Sequence, residues 1–176
     1  MNQIDGVALL ELTPRVDERG HLVEVFRTAW IPGVTPVQWN FVKSIAGTLR
    51  GVHCHIVHTD YLTVLEGHML VGLHDLRPDS PTQNSSMMID LTEATSAVVI
   101  PPGVAHGFYF QDSARYLYGV TTEWNPADEL GCRFDDPELG LAWPTATPLM
   151  SARDQEAGSL SDLRTSVQAA LAAVGS

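Results

Sequence analysis

Basic residues are scarce in this chain of 176 residues: 10 Lys and Arg stand against 21 Asp and Glu, a formal net charge of -11. That balance excludes a general nucleic-acid binder, which needs a positive surface to replace phosphate counterions. It leaves room for one bound nucleotide held by a few placed arginines. Cysteine is nearly absent. Cys54 and Cys132 form no CxxC pair and no recognisable framework, so reduced thiols in the cytoplasm are the expectation. No apolar run approaches the roughly 20 residues that a membrane helix needs. Asp5 and Glu11 interrupt any N-terminal apolar segment, which argues against a signal peptide. Internal repeats, low-complexity segments and linkers long enough to divide the chain are also missing. With 44% hydrophobic and 18% charged residues, residues 1–176 read as one soluble globular domain with a buried core.

What is present is mostly short β-rich runs separated by turn chemistry. Leu22 to Phe26, Tyr61 to Leu65, Met69 to Leu73, Met87 to Leu91, Ala97 to Ile100, Gly107 to Phe110 and Arg115 to Thr121 read as strands. Glu66-Gly67 is a turn signal, and residues 77–82 form a loop. This spacing predicts an all-β sandwich or barrel. The tail differs: Leu160, Leu163, Val167, Leu171 and Val174 recur every three or four residues. That stripe predicts a helix over about 158–174, N-capped by Ser159 or Ser161 and packed outside the barrel.

Two histidine-bearing segments carry the chemistry. Arg50-Gly51-Val52-His53-Cys54-His55 is followed about fifty residues later by Pro101-Pro102-Gly103-Val104-Ala105-His106-Gly107-Phe108. Histidines on separate strands converge inside a β-barrel. They suit either proton transfer at a carbon acid or metal binding.

The blocks Asp17-Glu18-Arg19-Gly20, Glu24-Val25-Phe26, Gln38-Trp39-Asn40 and Arg50-Gly51-Val52-His53 are followed by residues 75–82, residues 100–108, Leu117-Tyr118, and Asp135-Asp136-Pro137 through Trp143-Pro144. In this order and spacing, residues 17–144 resemble the dTDP-4-dehydrorhamnose 3,5-epimerase family. The resemblance implies a cupin-type jelly roll with a C-terminal helix, and a homodimer acting on a dTDP-4-keto-6-deoxyhexose in deoxysugar biosynthesis. A 4-keto group acidifies the hydrogens at C3 and C5, so epimerisation needs a base on one ring face, an acid on the other, and stabilisation of the enolate oxygen. The resemblance implies His53 as base, Asp136 as its orienting carboxylate and Tyr118 as the opposite-face acid. It further implies Arg50 on a phosphate, Gln38, Asn40 and His106 lining the substrate pocket, and Arg19 and Arg27 reaching the partner subunit's nucleotide. No cofactor is implied, because protons only leave and return.

Two positions depart from that family's pattern. His55 stands where the family has glutamine, and Asp60 where it has a lysine held to stabilise the enolate oxygen. Gly47, His53, His55, Asp60 and Gly67 spell G-x5-H-x-H-x4-D-x6-G, which resembles the first motif of metal-binding cupins, and Pro101-x-Gly103-x2-His106 resembles the second. Histidines at i and i+2 share one strand face. The alternative reading is therefore a metal-dependent cupin isomerase or oxygenase with a divalent ion on His53, His55, Asp60 and His106. That ion would take the histidine away from base catalysis. A third reading is a non-catalytic sugar-nucleotide binder.

Overall fold

The β-rich runs become strands because each presents one face to a shared interior. In this computed structural model, which describes residues 3–174, the strands in chain order are β1 (Ala8–Glu11), β2 (Arg15–Asp17), β3 (Gly20–Leu22), β4 (Gln38–Ser44), β5 (Leu49–Cys54), β6 (Asp60–Glu66), β7 (His68–Asp75), β8 (Ser86–Thr92), β9 (Ser96–Ile100), β10 (Val104–Tyr109), β11 (Ala114–Val120) and β12 (Leu130–Gly131). Residues 1, 2, 175 and 176 of the expected domain lie outside the described residues. Two five-stranded sheets form, in the orders β1-β9-β6-β11-β4 and β12-β5-β10-β7-β8, with β2 and β3 as a separate hairpin. Successive strands cross repeatedly between the sheets and all named pairings are antiparallel. That is the all-β jelly roll the sequence predicted.

Inward-facing side chains of both sheets make the main core. Leu62 and Val64 of β6 meet Met69, Val71 and Leu73 of β7, with Val98, Ile100 and Phe110 closing one end. The predicted helix is α2 (Leu160–Val174), preceded by a single turn, α1 (Ala152–Gln155). Leu160, Leu163 and Val167 of α2 are buried with Val52, Cys54, Ala105 and Cys132 on the outer side of the second sheet. Ser159 is the N-cap: its Oγ accepts from Asp162 N at 3.1 Å, and an Asp162 oxygen accepts from Ser159 N at 3.0 Å, a capping box.

The expected strand over Leu22 to Phe26 is corrected. Pairing stops at Leu22, and Val23 and Phe26 instead pack with Trp30, Ile31 and Val34 over Tyr61 and Val99 on the outer face of the first sheet. Their apolar pattern serves packing and not a ladder. Sequence reasoning also passed over β4, an edge strand of the first sheet, whose Trp39 and Phe41 are exposed.

Candidate active site

One end of the sandwich opens into a cavity of about 690 Å³ lined from both sheets and from the segment that carries α1. Val42, Leu62, Phe108 and Val120 supply apolar wall. His53, His55, His58, Asp60, His106, Tyr116, Tyr118, Glu129 and Asp154 supply the titratable groups, and Arg50 and Arg153 the positive charge. The chain's single lysine, Lys43, is exposed on β4 and does not line the cavity.

His53 sits on β5, where His106 of β10 is its cross-strand partner. Gly51, at φ 117°, lets these strands approach: a Cβ there would lie 2.8 Å from both the His106 carbonyl oxygen and Gly107 Cα. The Nε2 of His53 lies 2.8 Å from an oxygen of Asp154. Residues 149–154 reach the cavity because Leu149 is pinned beside β5, its carbonyl accepting from Leu49 N and its N–H donating to Gly47 O, both at 2.9 Å. Ser151 then caps α1 by accepting from Asp154 N at 3.2 Å, which turns Asp154 inward. Burial raises the Asp154 carboxyl pKa, but hydrogen bonding and charge from His53, with help from Ser151 and Gly51 N, outweigh it and hold the group down at about 2. Asp154 is therefore an ionised acceptor.

Arg153 makes the opposite demand on the same imidazole. One of its terminal nitrogens is 2.9 Å from His53 Nε2, and a guanidinium can only donate. We assign the proton to Nε2, because the contact to Asp154 is the shorter and is charge-assisted. Nδ1 then keeps the lone pair. Glu129 holds the other side of Arg153 at 2.9 Å and accepts from the Trp124 indole at 2.9 Å.

Asp136, the expected orienting carboxylate, is not beside His53. Its oxygens accept from Leu160 N at 2.9 Å and Glu138 N at 3.1 Å, so it tethers the start of α2 and caps the turn at Pro137–Leu139. The bond from Leu160 leads in lowering its pKa. The correction has a physical reason: Asp136 precedes a proline and a helix start, two places where an aspartate satisfies free backbone N–H groups. Asp154 lay beyond the resembling blocks. The local signal for it was the Ser151-x-x-Asp154 capping pattern, which predicts a helix start but not a partner for His53.

Tyr118 of β11 lines the cavity, its hydroxyl pKa raised by burial and by the charges of Asp60 and Glu129. Arg50 lines it too, with Nε donating to Ser44 Oγ at 3.0 Å. Gln38 and Asn40 bond to each other at 3.1 Å, and Gln38 also accepts from Trp124 N at 2.9 Å. Neither is in the cavity lining; Gln38 supports the Trp124 segment, which is. Arg19 and Arg27 are spent on surface ion pairs with Asp17 and Glu24 and stand apart from the cavity within this chain.

The expected four-residue ligand set also separates. One ligand atom each from His55, Asp60 and His106 lies within 4.8 Å of the others, and all three residues are buried. His53 is not in that group. The reason is that β5 ends at Cys54, so the i, i+2 alternation that would align His53 with His55 stops between them. His55 instead stacks on His58, ring centroids 4.2 Å apart. Burial pushes Asp60 up to about 7, with His55 opposing and Glu129 and Asp128 adding to the rise. Burial and then the neighbouring His55 push His58 down to about 4 and His106 well below its ordinary value.

The sequence profile of the dTDP-4-dehydrorhamnose 3,5-epimerase family matches residues 1–162. A dTDP-4-dehydrorhamnose 3-epimerase of Streptomyces niveus is 35% identical over 173 residues, spanning 92% of this chain and 83% of its own. Among solved structures, a 4-keto-6-deoxy sugar epimerase from the novobiocin biosynthetic gene cluster of Streptomyces spheroides superposes with a TM-score of 0.85 at 32% identity, covering 97% of this chain and 89% of the other. A dTDP-6-deoxy-D-glucose-3,5-epimerase of Legionella pneumophila, solved with dTDP-4-keto-L-rhamnose, also gives 0.85, at 30% identity and 94% coverage of each chain. A partly buried histidine paired with a buried carboxylate on a cavity wall, on a jelly roll shared along nearly the whole chain, leads with the family match to one assignment: this protein belongs to the dTDP-4-dehydrorhamnose 3,5-epimerase family.

Proposed function

We propose that the protein is an epimerase that inverts C3, C5 or both of a dTDP-4-keto-6-deoxyhexose. We place it in the cytoplasm, working as one catalytic domain within a homodimer. The observation that carries this reading is the 2.8 Å pair of His53 Nε2 and Asp154 on the wall of a cavity that Tyr118 also lines. With Nε2–H given to Asp154, the Nδ1 lone pair of His53 takes the proton from the carbon beside the keto group. Asp154 stabilises the imidazolium that results. The Tyr118 hydroxyl, kept protonated by its raised pKa, returns a proton to the opposite face. Each turnover moves a proton off carbon and another back on, so the balance closes without an organic cofactor.

Arg50 is assigned to the diphosphate and Trp124, half-exposed at the cavity wall, to a flat face of the ligand. The homodimer reading is supported by the edge position of β4 and its exposed Trp39, Phe41 and nearby Ile45, an apolar strip suited to burial against a second copy. Free Cys54 and Cys132 agree with a reducing compartment, and among the described residues no helix is long and apolar enough to cross a membrane.

Deuterium wash-in tests the reading. With dTDP-4-keto-6-deoxyglucose in heavy water, the C3 or C5 proton signal is expected to disappear at a rate that His53→Ala abolishes. Folded protein that exchanges neither position would refute it.

A further inference from the structure

Beside the base, three acceptor groups converge on the cavity wall. His55 Nδ1 lies 3.1 Å from the Asp128 carbonyl oxygen, and His106 Nδ1 lies 3.1 Å from the Val104 carbonyl oxygen. A carbonyl only accepts, so both nitrogens carry protons, and Nε2 is the atom that each neutral imidazole offers as a lone pair. Asp60 adds a buried carboxylate. Its nearest histidine nitrogens, His58 Nε2 at 3.7 Å and His106 Nε2 at 4.0 Å, stand beyond hydrogen-bond distance. The His106 lone pair thus faces a carboxylate in a buried place, and a ligand atom of His55 lies within 4.8 Å of both, with no hydrogen bond joining the three. A cation is what such a set lacks. Nδ1–H held by a backbone carbonyl is also the support that fixes metal-bound histidines through Nε2.

We propose that His55, Asp60 and His106 bind one divalent transition-metal ion, with its remaining positions open to the substrate cavity. Two imidazoles and one carboxylate suit Zn, Fe(II), Mn, Co or Ni, and exclude the all-oxygen preference of Mg and Ca. The second candidate group, His55, His58 and Asp128, is disfavoured because the Asp128 carboxylate already accepts from Ile56 N at 2.8 Å and Val57 N at 3.2 Å and faces His58 Nδ1 at 3.3 Å. His53 stays with Asp154, so the ion and the base coexist. The site rests on the proposed epimerase reading for its purpose. A cation on this wall offers positive charge to the oxygen of a bound keto sugar, in a cavity that no lysine lines and where Asp60, Glu129 and Asp154 already outnumber Arg50 and Arg153.

The test is a titration of the chelator-stripped, full chain with Co²⁺, read by the visible d–d absorption and by equilibrium dialysis. One Co²⁺ per chain is expected. Asp60→Asn is expected to weaken binding by at least about tenfold, while His58→Gln leaves it in place; circular dichroism checks that each variant folds. No Co²⁺ bound by the unmutated chain overturns the proposal without reference to any variant. So does equal affinity in Asp60→Asn, or loss in His58→Gln with retention in Asp60→Asn. Deuterium wash-in on stripped and Co²⁺-loaded protein separates the two ideas. Exchange without ion binding overturns the metal site alone, and ion binding with no exchange in either form upholds the site while removing the epimerase reading.

Discussion

Replacing Asp154 by Asn should stop proton transfer while leaving the barrel intact, and replacing Asp136 by Ala should do the reverse. The amide at 154 loses the charge that stabilises the imidazolium. A hydrogen bond to a charged group contributes about 1.5–3 kcal/mol, which is about 10- to 150-fold in rate at 1.36 kcal/mol per decade. The neighbouring arginine adds a second effect. With the carboxylate gone, the Arg153 nitrogen 2.9 Å from Nε2 becomes the dominant partner and draws the Nε2 lone pair, which moves the imidazole proton to Nδ1. Inversion of the tautomer in a His–Asp pair costs about 10⁴-fold, so the expected fall in wash-in rate lies between about 10 and 10⁴. Asp136→Ala instead removes the acceptor for Leu160 N and Glu138 N. Losing a helix-start acceptor costs about 1–2 kcal/mol, or a Tm lower by about 2–8 °C for a chain of this size, with the exchange rate unchanged. The assay is the C3/C5 proton signal in heavy water beside a thermal melt of each variant. Near-normal exchange in Asp154→Asn together with lost exchange in a folded Asp136→Ala would refute the pairing described above.

Other outcomes follow from the same geometry. Tyr118→Phe is expected to retain wash-in at the first carbon attacked but to lose inverted product by about 10²-fold or more, since only the returning proton is removed; product NMR checks it, and equal loss of both signals would contradict the role of the hydroxyl. Asp75 is buried, which raises its pKa, yet bonds from Arg77, Ser80 and Thr82 hold it down at about 2. A depressed folded pKa stabilises above the unfolded value near 4 and loses that contribution as pH falls toward 2, so Asp75→Asn should flatten the melting-temperature profile in that window and change little at pH 7 beyond a constant offset. Phe41→Asp places a charge on the exposed strip of β4 and, for the proposed homodimer, is expected to shift the species seen by light scattering from dimer to monomer; a variant that stays dimeric would refute this strip as the contact, and a monomeric unmutated chain would refute the homodimer.

Much of the barrel was legible because period-two alternation is a local signal: β6 to β9 and β11 follow their runs closely. Helix α2 was legible from its three-four stripe and from Ser159. The run at Leu22 to Phe26 misled because an apolar segment lying across a sheet has the same composition as a strand within it. His53, Tyr118 and Arg50 could be placed in one cavity from their motifs, since strand register carries them there. Asp154 could not. Its contact with His53 spans 101 residues, and long-range docking of the Leu149 segment on β5 together with the Ser151 cap creates it. The proposed ligand set was half-legible for a similar reason: spacing pointed to His53, His55, Asp60 and His106, and only the end of β5 separates His53 from the other three.

That long span also has a consequence in time. Ribosomes deliver about 5–20 residues per second, so His53 leaves the peptidyl-transferase centre roughly 5–20 s before the aspartate that orients it. Every strand of both sheets precedes Asp154 in the chain, so the proposed base emerges with its barrel ahead of its partner. Under the proposed mechanism, competence for proton transfer therefore waits for docking of the segment that ends in α1. A nascent chain can hold a nearly finished barrel and still be catalytically silent.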